Sequence, residues 1–114
     1  MKQRIFLSGL LVLTPILVGG INITTTKAQS FSCANAQIPS EMAICNNEVL
    51  LIKDEKLAEL FSAVLVSTTG SVAFQNASQA HADWLRKRNA CKIDFSCLEQ
   101  NYDERIRTLV EMDL

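Results

Sequence analysis

The sequence is poorly equipped for catalysis. It has one histidine, His81, one tryptophan and one tyrosine in 114 residues. Nucleophilic catalysis needs a nucleophile, a base within reach of it and a group that orients the base. One histidine leaves little room for that, and no G-x-S-x-G nucleophile elbow is present. There is no glycine-rich phosphate loop. There is no C-x2-C pair, so the cysteines lack the spacing of a zinc ribbon or finger. Acidic neighbours do occur, at Asp54-Glu55, Asp103-Glu104 and Glu111/Asp113. They fall among helical polar positions and read as solvated faces, not as a glycosidase pair. The expectation is a protein that is not an enzyme and needs no metal or cofactor.

What is there begins with the N-terminus. Lys2 and Arg4 precede a mostly apolar stretch from Ile5 to Ile23, and Thr26-Lys27-Ala28 follows. This is the layout of a secretory signal peptide over residues 1–28, cleaved after Ala28. The stretch is long enough to span a bilayer uncleaved, but Pro15, Gly19-Gly20 and the small residues before the cut favour removal. The exported domain is then residues 29–114, periplasmic or secreted, with no stable membrane insertion once cleaved. It carries eight bases against twelve acids, a net charge of −4. An acidic exported domain is a poor match for nucleic acid and a better one for a basic partner. Arg86-Lys87-Arg88 is too short a run to change that, because successive helix positions point in three directions.

Export decides how the four cysteines are read. Outside the cytoplasm thiols oxidise, and an even count in a short chain reads as a disulfide framework. Cys33, Cys45, Cys91 and Cys97 permit three pairings. Two local bridges, Cys33–Cys45 and Cys91–Cys97, are the expected set, although spacing alone does not decide connectivity.

The body of the chain reads as helix, with no strand pattern or internal repeat. Pro39-Ser40-Glu41 suits the first turn of a short helix that carries Cys45 back toward Cys33. Apolar residues at Leu50, Leu57, Leu60, Phe61, Val64 and Leu65 predict a helix over about 48–66, capped by Asn46 or Asn47. Ser67 to Ser71, with Gly70, is a stop and a turn. Phe74, Ala77, Ala80, Trp84, Leu85 and Arg88 predict a second long helix over about 72–90. Leu98, Tyr102, Ile106 and Leu109 predict a third over about 97–112, after a short loop held between Cys91 and Cys97. The fold class is all-α: a small disulfide-stapled bundle of three long helices plus one short N-terminal helix, antiparallel and stapled at both ends. Phe61, Trp84 and Tyr102 are its expected core aromatics. An Asp54–Arg88 ion pair is expected to join the first two long helices.

These residues carry a resemblance. Cys33-Ala34-Asn35-Ala36, then Pro39-Ser40-Glu41-Met42-Ala43-Ile44-Cys45, resembles the opening motif of the LprI-like lysozyme inhibitor family of small exported bacterial proteins. Leu50, Asp54, Leu57 and Phe61 are similar to its first long helix. Trp84-Leu85, Arg88, Cys91, Cys97-Leu98, Tyr102, Arg105-Ile106 and Leu109 are similar to its C-terminal signature. The departures are His81 in place of glutamine, Asn89 in place of aspartate and Lys53 in place of an apolar residue. The resemblance covers essentially all of residues 29–114. It implies a periplasmic or secreted helical protein whose partner is a lysozyme-like glycoside hydrolase. It implies no particular inhibitory residues. An immunity-type protein against a peptidoglycan-cleaving toxin, or an envelope stress module without an enzyme partner, are the alternative readings.

Overall fold

The computed structural model of the chain describes residues 30–112. The expected signal segment and the expected cleavage after Ala28 lie outside the described residues. A single 3-10 turn at Cys33–Asn35 leads into four α-helices: α1 Pro39–Cys45, α2 Glu48–Ser67, α3 Val72–Ala90 and α4 Phe95–Met112. No strand occurs among the described residues, and the fold is a small all-α one with two disulfides. None of the described helices is long and apolar enough to cross a membrane.

Each helix boundary has a local cause. Pro39 opens α1 at a position where its missing N–H costs nothing, and Glu41 sits in the positively polarised first turn. Asn47 caps α2 by accepting from the Leu50 N–H at 3.1 Å. Thr68 ends that helix. Its N–H and its hydroxyl both donate to the Val64 carbonyl. Gly70, at φ +82°, then turns the chain into α3 with backbone angles that a side chain would resist. Helix α4 starts two residues before the expected position 97. Asp94 is the reason: its carboxylate accepts from the Cys97 N–H at 3.0 Å, and its carbonyl accepts from the Leu98 N–H at 3.0 Å.

Cross-helix contacts set the directions. His81 meets Arg105 while Trp84 meets Asn101, so α3 and α4 run antiparallel. Phe61 of α2 stacks on His81 of α3, and the tight turn at Gly70 makes those two antiparallel as well. Helices α2 and α4 are therefore parallel, and they form the most extensive pair in the bundle. Lys53 fixes their register by bridging to Asp103 at 2.6 Å and Glu99 at 3.8 Å.

The core runs along the bundle from Ile44 through Leu50, Leu57, Leu98, Tyr102 and Trp84 to Val64, Ala77 and Leu109. Both disulfides lie at one end of it, and not one at each end as expected, because α2 begins where α3 stops and α4 starts. Cys33–Cys45 ties the N-terminal turn to the end of α1, with Cα atoms 5.8 Å apart. Cys91–Cys97 closes the α3–α4 loop, with Cα atoms 5.5 Å apart. Within that loop Lys92 takes a positive φ of 56°, the one non-glycine residue to do so among those described. The other end, where α2 turns into α3, has no covalent staple among the described residues.

Candidate functional site

Two polar groups are built into the interior, and both link segments distant in sequence. The first centres on Asp54, a fully buried carboxylate. Its Oδ1 accepts from the Tyr102 hydroxyl and from the Ser30 hydroxyl, each at 2.6 Å. Its Oδ2 accepts from the Ser30 N–H at 3.2 Å. A buried carboxylate is tolerable only with such donors. Burial, then the Asp54 charge and the bond to it, holds the Tyr102 phenol above its ordinary range. The hydroxyl therefore stays protonated and donates. The Tyr102 ring packs edge-on against Trp84 with centroids 5.1 Å apart, and the indole N–H donates to the Asn101 carbonyl at 3.1 Å.

The second group centres on Arg88, whose side chain is only 2 % exposed. Its Nε and Nη2 donate to the Asn89 side-chain carbonyl at 3.0 and 2.8 Å. Nη2 also reaches Glu41 of α1 at 3.5 Å. The Asn89 oxygen accepts in addition from Ser40 at 2.9 Å, which fastens α1 to α3. The guanidinium lies over the rings of Phe31 and Trp84, 5.3 and 5.9 Å from their centroids. One nitrogen, Nη1, is buried without a hydrogen-bond partner among the described residues.

The expected Asp54–Arg88 ion pair does not form. Arg88 pairs with Glu41 instead, and Asp54 is satisfied by neutral hydroxyls and a backbone N–H. Both charges act on Tyr102 and on His81. Trp84 and Tyr102 are buried in the core, whereas Phe61 packs against its edge and stays half-buried. Ser30, Ser40 and Glu41 had no assigned partner in the sequence. Their contacts span 24, 49 and 47 residues, which no local pattern reveals.

His81 is held between Phe61, 3.8 Å away, and Trp84, 5.6 Å away. Arg105 donates toward its Nδ1 at 3.5 Å. Burial, then Arg105 and Arg88, pushes its pKa down to about 4, so it is neutral at physiological pH. Arg105 is itself buried, and burial lowers its pKa from the ordinary value.

Two shallow grooves flank α3. One of about 350 Å³, against α2, is lined by Leu57, Phe61, Leu65, His81 and Leu85. One of about 260 Å³, against α4, carries Asp83, Lys87, Glu104 and Arg105 at its walls. The groove against α2 also carries Ser30 and Ser62 beside His81, and no hydrogen bond joins either serine to the imidazole among the described residues. No group of three or more His, Cys, Asp or Glu side chains capable of holding a metal occurs among the described residues. No family model matches the chain, and no curated protein or solved structure matches it either.

Proposed function

We propose that this protein is an exported inhibitor of a lysozyme-type peptidoglycan hydrolase, of the LprI-like kind, and acts by occluding the enzyme's cleft. One observation carries the reading. The C-terminal residues on which the resemblance rests are largely interior: Trp84, Arg88, Leu98, Tyr102, Arg105 and Leu109 are all buried along the bundle that the Cys91–Cys97 bridge closes at one end. A signature that is also a packing unit supports a shared scaffold more strongly than matched letters do. The two closed disulfides support an oxidising compartment.

The mechanism is steric. A lysozyme-type enzyme needs two carboxylates to reach the sugar, so denying access is sufficient. A stable complex covers about 800 Å² of each partner. A rigid stapled bundle loses little conformational freedom on binding, which favours affinity. The acidic balance of residues 29–114 favours encounter with a cationic enzyme.

Association kinetics test this. The oxidised protein is passed over an immobilised panel of cationic and neutral muramidases at rising ionic strength. Binding to the cationic members is expected, with an association rate that falls as the Debye length shrinks from about 10 Å at 0.1 M salt. No binding to any member would overturn the proposal. Salt-independent binding would overturn the electrostatic part of it.

A further inference from the structure

Asp54 is the one fully buried carboxylate among the described residues, and no lysine or arginine there bridges to it. Buried charges are ordinarily paired with an opposite charge. The ionisable groups packed around Asp54 leave that role open. Arg88 of α3 bridges to Glu41 of α1. His81 of α3 is neutral at physiological pH, and the Tyr102 phenol of α4 stays protonated.

The chain that leads into the domain ends on this carboxylate. Cys33 is tied to Cys45, the Phe31 ring lies against the Arg88 guanidinium at 5.3 Å, and Ser30 reaches Asp54 with both its N–H and its hydroxyl. The peptide unit joining residues 29 and 30 is therefore held at Asp54 Oδ2, 3.2 Å from the Ser30 nitrogen. Gln29 itself lies outside the described residues. Standard bond lengths nonetheless keep its backbone nitrogen within about 3.7 Å of the Ser30 nitrogen, and so within about 7 Å of Asp54 Oδ2. In the uncleaved chain that nitrogen is a neutral peptide N–H. The expected cut after Ala28 turns it into an α-ammonium.

We infer that Asp54 is the receiving site for the α-ammonium that signal cleavage creates at Gln29, so that removal of the leader completes the charge pairing of the interior. The inference rests on the expected cut after Ala28 and is independent of the inhibitory function. The separation is shorter than the Debye length of about 8 Å at physiological ionic strength, and the carboxylate is buried, so salt screens the pair little. The attraction raises the α-amine pKa above its ordinary value of about 7.7–8.0. A pKa raised in the folded state adds stability that is complete below the unfolded value and is lost as pH rises through the folded one.

The test uses the full chain, exported through its own leader and purified with both disulfides closed. Mass spectrometry is expected to place Gln29 first. A glutaminyl cyclase then converts part of the preparation: the α-amine attacks the Gln29 side-chain amide carbon, ammonia leaves, and a neutral lactam replaces the cation. Melting of the two forms is compared by circular dichroism. At about pH 6 the cyclised form is expected to melt about 3 °C lower, the effect of about half a pKa unit on a domain of this size. At about pH 10, where the amine is neutral, the two forms should melt together. In Asp54→Asn they should melt together at both pH values, and if that variant does not fold the parent pair decides alone. Equal melting near pH 6, a difference that persists near pH 10, or an exported chain that begins at another residue would each overturn the inference.

Discussion

Tyr102→Phe isolates one atom of the buried Asp54 centre. The ring remains, so the edge-on packing against Trp84 at 5.1 Å is preserved and no cavity opens. What is lost is the 2.6 Å hydrogen bond from the phenol to Asp54 Oδ1. Hydrogen bonds to charged groups contribute about 1.5–3 kcal/mol, and Asp54 is fully buried, so water cannot replace the donor without rearrangement. For a domain of this size that corresponds to a fall in Tm on the order of 10 °C. Ser30→Ala removes the other hydroxyl on the same oxygen, also 2.6 Å away, and leaves the Ser30 N–H on Oδ2. Its cost alone is expected to be of the same order, about 1–2 kcal/mol, because Ser30 is itself exposed. The double variant leaves the carboxylate a single donor, so its loss should exceed the sum of the two by at least 0.5 kcal/mol. Urea unfolding of the oxidised protein, followed by far-UV circular dichroism, measures all four corners of the cycle. A loss below about 0.5 kcal/mol for Tyr102→Phe, or strict additivity in the double variant, would refute the account of Asp54 as a shared, fully desolvated acceptor.

Three further outcomes follow from the same structure. Asn89→Asp keeps the shape of the acceptor that takes two bonds from Arg88 and one from Ser40 but makes it an anion, and should raise unfolding free energy by about 1 kcal/mol in a urea titration. Burial, then Arg105 and Arg88, depresses the His81 pKa from 6.5 to about 4, so the unfolded chain binds the proton first. Its stabilising effect is complete above pH 6.5 and is lost as pH falls toward 4, and Tm measured between those limits should fall less steeply in His81→Gln than in the parent. Cys91→Ser/Cys97→Ser removes the bridge across a separation of 6 residues and should cost about 2 kcal/mol, whereas loss of the Cys33–Cys45 bridge across 12 should cost about 3 kcal/mol, both read from chemical unfolding.

The helices were legible in the sequence because their signals are local. Asn47, Pro39 and Gly70 act within a few residues of themselves, and the stripe from Leu50 to Leu65 repeats at helical spacing. The start of α4 was misplaced for a related reason: Asp94 looks like a loop residue until its carboxylate is seen on the Cys97 N–H. Asp54 and Arg88 were recognised as a joint between helices, but their partners were not. Opposite charges on facing helices suggest each other, whereas the actual donors to Asp54 are a tyrosine on α4 and a serine upstream of every helix. Asn89 and Lys53 say little as isolated letters, and only the packing shows that one holds Arg88 and the other binds α2 to α4.

Trp84, Arg88, Leu98 and Tyr102 are buried, so the proposed inhibition concerns a surface they do not form. A titration of a cationic muramidase with the oxidised protein, scored by lysis of cell walls, tests it most directly. Lysis should fall toward zero near one equivalent of inhibitor, and adding salt should restore it in part. Undiminished lysis at a large molar excess, by protein whose two disulfides are confirmed closed, would contradict the account.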